Sequence, residues 1–254
     1  MDHRTSVTLT PEPTDRSEAW TERAREAVAR FHPRPTLDRR LLAPGVVALC
    51  KGLMQVLNTV EFHGAERLTE ARALGRPLLT FSNHVSLFDD PWLMATMSGS
   101  RWRELRWIAT DALNFFDTPV KAWFFSLGKG VPIVRGAGLD QPGFHFLEER
   151  LGDGDWVHMF PEGTRSRTPR ELHRPFKPGL AFLVRATRPL LLPFHHRGME
   201  DILPIGTRFP RFGNTVSVRF GELTDAAAGL ADDSIEDITA WAEEQLLGLQ
   251  PRAR

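Results

Sequence analysis

The segment RPLLTFSNHVSLFDDPW, residues 76–92, sets an apolar run against a Pro-led segment and gathers one histidine and two aspartates between them. Its first six residues, RPLLTF, read as a short buried strand. Asp90 precedes Pro91, so it is biased toward extended backbone and suits an N-cap, with Pro91 as the first helical residue. A helix turns about 100° per residue, so His84 and Asp89, five apart, would diverge by about 140° on one continuous helix. They can meet only across a turn. His84 is therefore expected at the C-terminal end of a strand and Asp89 just before a helix, at the edge where open α/β sheets bind ligands.

The same alternation continues downstream. Short apolar runs at 107–110, 131–134 (VPIV), 155–160 (DWVHMF), 189–194 (PLLLPF) and 215–220 (TVSVRF) are separated by helical or loop segments. Among these, 141–151 reads as a helix ended by Gly152 and 178–187 as a short apolar helix. The expected fold class is α/β, a mostly parallel twisted sheet flanked by helices. Ser17 can cap an N-terminal helix carrying Trp20, Ala24, Ala27, Val28 and Phe31, which HPRP at 32–35 stops. Ser234 with Asp237 resembles a capping box opening an amphipathic helix of Ile235, Ile238, Trp241 and Leu246. The organisation expected is a polar tail and N-terminal helix over 1–40, an apolar segment over 41–62, the main domain over 63–222 and a C-terminal helix over 223–254.

Composition narrows the function classes. With 254 residues, 41% hydrophobic and 25% charged, the chain can build one sizeable domain. Thirty-two basic and thirty-two acidic residues cancel, so no global field recruits nucleic acid. The single Cys50 excludes an intramolecular disulfide and a cysteine zinc site, and reads as a small buried hydrophobe. The first forty residues carry Asp2, Glu12, Asp15, Glu18, Glu22 and Glu26, unlike a secretory signal or a transit peptide, so no signal peptide is expected. The stretch LLAPGVVALCKGLMQVLNTV, 41–60, is interrupted by Lys51, Gln55, Asn58 and the Pro44-Gly45 pair; it is expected to lie in a membrane interface rather than cross a bilayer. In LNFFDTPVKAWFFSLG, 113–128, Phe115, Phe116, Trp123, Phe124 and Phe125 surround Lys121, which suits either a membrane face or core packing.

The HxxxxD spacing occurs twice, at His84–Asp89 and His196–Asp201, and only the first is expected to lie between a strand end and a helix start, since HHRGMED carries no helix-start signal. His84 reads as a general base or as a structural histidine satisfied by its neighbours. A neutral imidazole takes a proton near neutrality, and an adjacent carboxylate orients it and stabilises the imidazolium. Asp89 would be that partner, while Asp90 suits capping. Ser86 suits a turn, since the GxSxG elbow of a serine nucleophile is absent. In WVHMFPEGTRS, 156–166, Gly163 permits close backbone approach, Glu162 can accept a hydrogen bond from a substrate hydroxyl and Arg165 can grip a phosphate; an ordinary βα turn with exposed charges fits the same residues. Lys129 and Arg135 in GKGVPIVRG, 128–136, with Arg167, Arg170, Arg174 and Lys177 in RSRTPRELHRPFKPG, 165–179, suggest either an anionic head group or a solvated face. A metal site from His84, Asp89, Asp90 and His158 has no recognised ligand spacing. Nothing matches GxGxxG, a P-loop or HExxH.

Taken together, NHVSLFDD, GKGVPIVRG, FPEGTRS and PLLLP, in that order, resemble the four blocks of the glycerolipid acyltransferase superfamily that contains the lysophosphatidic acid acyltransferases. Within it, NHVSLFDDPW, FFSLGKGVPIVRG, GDWVHMFPEG, GMEDILP and FPRFG look like the tafazzin branch, over about residues 60–222. The resemblance implies the glycerol-3-phosphate acyltransferase-like fold, with His84 and Asp89 deprotonating a lysolipid hydroxyl that attacks an acyl ester or thioester directly. It also implies that Arg135, Glu162, Gly163, Arg165 and Lys177 hold the glycerol and phosphate portion. The expected partners are phospholipid, lysophospholipid and a membrane surface, with no metal or bound cofactor and no obligate protein partner. GTRS at 163–166 follows the general superfamily pattern where tafazzins often differ, which leaves acyl-CoA or acyl-carrier protein open as donor. The expected location is peripheral or monotopic, on the cytoplasmic face of the inner or plasma membrane. The rival from another class is a non-catalytic lipid-binding protein.

Overall fold

In the computed structural model, which describes residues 18–34, 36–99, 101–168 and 171–251, each of the six expected apolar runs is a strand. The strands are β1 (Thr59–His63), β2 (Leu78–Ser82), β3 (Trp107–Asp111), β4 (Gly130–Ile133), β5 (Trp156–Met159), β6 (Leu190–Arg197), β7 (Thr215–Phe220) and β8 (Thr224–Asp225). They form one sheet in the order β1-β7-β6-β2-β5-β3-β4, with β8 on β6. All pairings are parallel except β6 with β7 and β6 with β8. Every residue of β2 and β5 is buried, as continuous apolar runs must be where helices cover both faces of a parallel sheet.

The helices are α1 (Glu18–Ala29), α2 (Leu37–Leu57), α3 (Glu66–Ala73), α4 (Met94–Met97), α5 (Ala112–Phe115), α6 (Pro119–Leu127), α7 (Pro142–Gly152), α8 (Gly179–Thr187), α9 (Met199–Ile202) and α10 (Ile235–Leu249). Helix α10 starts as expected, with Ser234 Oγ accepting from the Asp237 N–H at 3.0 Å. The main core wraps the sheet, while Ala24, Ala27, Ala112, Phe116, Ala122 and Val134 form a second cluster that fastens α1 to α5 and α6. The polar tail and the Ser17 cap lie outside the described residues, as does Arg170.

One expectation needs correction, and one strand is new. Pro44-Gly45 does not interrupt the apolar segment, because α2 runs through Pro44. Proline removes one intrahelical donor, and the long apolar helix absorbs that loss by packing. Ala43, Val47, Cys50 and Met54, spaced by four, three and four, are buried, whereas Leu37, Leu41, Leu49 and Val56 stay exposed. Strand β1 was not anticipated: TVEFH alternates between exposed and half-buried, and only pairing with β7 makes it a strand. The aromatic stretch at 113–128 divides, with Phe116 in the core and Val120, Trp123 and Phe124 exposed.

Candidate active site

The turn after β2 is built by its own side chains. Asn83 pairs with the backbone of β6, its Nδ2 donating to the His196 carbonyl and its Oδ1 accepting the His196 N–H, both at 2.9 Å. The parallel ladder thus gains one side-chain rung before the chain leaves the sheet. Asp89 Oδ2 then collects three donors: the N–H of Val85 at 2.7 Å, the N–H of Ser86 at 2.9 Å and Nδ1 of His84 at 2.9 Å. The sequence therefore bends back so that residues five apart meet. Burial works to raise the pKa of Asp89, but His196, whose Nε2 lies 3.8 Å away, the His84 bond and the Ser86 N–H outweigh it and hold the carboxyl below its ordinary value.

With Asp89 ionised, Nδ1 of His84 carries the proton and Nε2 keeps its lone pair. The ring stacks on Phe160, centroids 4.1 Å apart and planes at 12°, and its side chain is 18% exposed. This leaves a packed, oriented imidazole whose second nitrogen makes no hydrogen bond among the described residues. Ser86 is buried; its Oγ accepts the Phe88 N–H at 3.3 Å and serves the turn.

Glu162 does a different job from the one expected. It is buried, and its Oε1 and Oε2 accept the backbone N–H groups of His84 at 2.7 Å and His173 at 2.6 Å. With no exposed surface and each oxygen bonded to a backbone N–H, the carboxylate ties the loops together rather than facing solvent. Burial raises its pKa to about 7, against the two N–H bonds. The folded chain therefore holds this proton more tightly than the unfolded one does. Its stabilising contribution is complete below the ordinary value of 4.5 and is lost as pH rises through about 7. Linkage makes that loss about 3 kcal/mol. In urea titrations, the stability advantage of wild type over Glu162→Gln is expected to shrink by that order between pH 4.5 and pH values above 7. A difference independent of pH contradicts titration of Glu162.

Gly163 has φ of +66°, and a Cβ there would lie 2.7 Å from Cγ of Lys177, whose own N–H bonds the Pro161 carbonyl at 2.8 Å. Glycine is required both for the left-handed turn and for the lysine stem that crosses it. Arg165, partly exposed, follows on the same loop, beside β2. Arg135 lies beyond the end of β4 with Nε 2.9 Å from Asp111 Oδ2. Three strand spacings of about 4.8 Å put it roughly 14 Å from the line of β2.

Lys129 is a correction. It precedes β4 at the opposite edge of the sheet and is 2% exposed. Its Nζ donates to the Leu105 carbonyl at 2.9 Å and sits 4.5 Å and 4.8 Å from the ring centroids of Trp102 and Trp107. Burial lowers its pKa to about 8. It is a core cation, not part of a head-group cluster at this edge. Asp90 has the extended backbone expected before Pro91 but does not cap the helix: its carboxylate pairs with buried Arg106, and the N–H groups of Trp92 and Leu93 bond the Phe88 carbonyl instead. His158 is buried beneath the site, Nδ1 2.9 Å from Thr80 Oγ1 and Nε2 3.4 Å from Ser82 Oγ, so both ring nitrogens are engaged away from His84. Asn83, Phe160 and His196 are the supporting residues the sequence reading did not assign. Ser82 faces Phe194 in the β2–β6 register, which brings His196 level with His84, but that register follows only from the strand order.

The chain matches the protein family described as Acyltransferase over residues 59–197. It is 32% identical over 230 residues to a protein named taffazin from Dictyostelium discoideum, covering 84% of this chain and 80% of that one. It is 34% identical over 176 residues to an N-acylphosphatidylethanolamine synthase from Arabidopsis thaliana, covering 66% and 62%. It is 33% identical over 160 residues to tafazzin from Drosophila melanogaster, covering 61% and 42%. Among solved structures, the 1-acyl-sn-glycerophosphate (LPA) acyltransferase PlsC from Thermotoga maritima shares the fold, with a TM-score of 0.63 at 20% identity over 93% of this chain and 89% of that one.

Proposed function

The chain belongs to the acyltransferase family, and from that premise we propose that it is a phospholipid–lysophospholipid transacylase, moving a fatty acyl group onto the hydroxyl of a lysophospholipid. The observation that carries the reading is the 2.9 Å contact between His84 and Asp89 at the ligand-binding edge of the sheet. Nε2 of His84 takes the hydroxyl proton as the oxygen attacks the acyl carbonyl carbon. Asp89 stabilises the imidazolium so formed. The tetrahedral intermediate then collapses, the bond to the donor oxygen breaks, and the imidazolium returns the proton to that leaving oxygen. The acyl group never bonds to the protein. Gly163, Arg165 and Lys177 hold the phosphate next to the base, and Arg135 reaches a more distant part of the head group. The scheme relays the one transferred proton from acceptor hydroxyl to leaving oxygen through His84 and calls for no cofactor.

Substrates of this kind reside in a bilayer, so the protein works at a surface. Helix α2 supports this. Over Arg39–Leu57 it is long and apolar enough to cross a membrane, and most of that stretch is not buried. An apolar outer face on a helix packed against the domain suits lying in the interface. A second donor reading rests on Gly163-Thr164-Arg165-Ser166, which favours a thioester. Labelled phospholipid mixed with lysophospholipid and purified protein, without thioester, distinguishes them. Label on the acceptor is expected; transfer only after acyl-CoA is added overturns the transacylase reading.

A further inference from the structure

The segment between α9 and β7, residues 203–214, presents bulky apolar side chains to solvent from a backbone that is tied down. Phe209 is 81% exposed, Phe212 50% and Ile205 47%. Yet the Arg211 N–H bonds the Ile202 carbonyl at 2.7 Å, Thr207 bonds Pro204 through its N–H at 3.1 Å and its hydroxyl at 2.7 Å, and Asn214 Nδ2 bonds the Arg211 carbonyl at 3.0 Å. The Gly213 N–H bonds the Leu57 carbonyl at 2.7 Å, joining the loop to the last turn of α2, where Val56 is also exposed. These aromatic side chains are held outward by an ordered loop.

The loop stands at the active-site edge. Strand β7 runs antiparallel to β6, so its first residue, Thr215, lies where β6 ends, and it pairs with Thr59 just after α2. Two strand spacings, roughly 10 Å, separate β7 from β2. Arg208 and Arg211 are the charged residues of 203–214, both are exposed, and neither has an ion-pair partner among the described residues. Apolar rings flanked by arginines, continuous with the exposed apolar face of α2, complement an anionic lipid surface, whose acyl boundary takes the rings and whose phosphates take the guanidinium groups.

We infer that residues 204–213 dock on an anionic lipid bilayer as a second contact beside α2, holding the His84 edge of the sheet against the membrane. The inference rests on the lipid reading proposed above. Its test compares full-length wild type with Phe209→Ser/Phe212→Ser and Arg208→Gln/Arg211→Gln double variants. Each is sedimented with phosphatidylcholine vesicles, with and without phosphatidylglycerol, and transfer is assayed both on vesicles and with monomeric short-chain substrates. The phenylalanine variant is expected to lose vesicle partitioning and vesicle transfer by about tenfold or more, with melting temperature and short-chain transfer unchanged. The arginine variant is expected to lose only the extra binding that phosphatidylglycerol confers. Wild-type partitioning by both variants overturns the inference, as does a phenylalanine variant that binds vesicles normally but turns a dimer into a monomer. Loop-dependent vesicle binding without acyl transfer in either assay leaves the docking standing and removes the transacylase reading.

Discussion

Replacing His84 with alanine lowers acyl transfer by roughly 10²-fold or more, the contribution expected of a positioned general base, while the protein stays folded. The two effects separate because His84 does little for the fold through its side chain. Its Nδ1 is one of three donors on Asp89 Oδ2, and the other two, from Val85 and Ser86, remain in the variant. Its backbone N–H still reaches Glu162 and its carbonyl still accepts from Ser166 at 2.7 Å. What is lost is one hydrogen bond and the stack on Phe160, about 1–2 kcal/mol, or a few degrees in melting temperature for a chain of this size. Initial rates with labelled phospholipid, set beside a thermal melt, read both quantities. A variant that turns over like wild type removes His84 from the chemistry. If binding to lipid persists at the same time, the chain is a lipid-binding module rather than an enzyme acting through this pair.

How far the sequence reaches depends on whether a feature is local. The strand–turn–helix signal around 76–92 is local, since an apolar run, a pre-proline aspartate and a five-residue spacing all constrain the same few dihedral angles. It therefore placed His84 and Asp89 correctly relative to one another. The buried strands β2 and β5 were legible for the same reason, their runs, LLTFS and WVHM, being mostly apolar. Strand β1 was not, because TVEFH is half-buried and its pairing partner lies more than 150 residues away. Lys129 misled because a lysine beside a strand reads as a surface cation, and only the folded chain shows it turned inward onto the rings of Trp102 and Trp107. Glu162 misled differently. The Pro-Glu-Gly turn was seen, but the carboxylate's partners, the N–H groups of His84 and His173, are invisible until two loops are brought together. His196 belongs to a decoy spacing in the sequence and to the supporting shell of the site in space.

Asp89 supports two claims that different substitutions can pull apart. In Asp89→Asn the amide oxygen can occupy the place of Oδ2 and keep all three donors. The amide nitrogen then takes the place of Oδ1, a buried atom that has no hydrogen-bond partner among the described residues. The turn therefore survives, but the negative charge that favours imidazolium on His84 is gone. Transfer is expected to fall by roughly 10²–10⁴-fold, with a smaller loss of urea stability than in Asp89→Ala. In Asp89→Ala the N–H groups of Val85 and Ser86 and the Nδ1–H of His84 lose their acceptor together. Each buried orphan costs about 1–3 kcal/mol, so this variant unfolds several kcal/mol more easily. Acidity supplies an independent readout. The folded carboxyl is held below its ordinary value, so its stabilisation is present above the unfolded pKa of about 3.9 and is lost as pH falls through the lower, folded value. Asp89→Asn lacks that limb, and its stability should decline less steeply than wild type in acid. If the asparagine variant transfers acyl groups within about threefold of wild type, the carboxylate is only a lock for the turn and its charge plays no part in moving the proton.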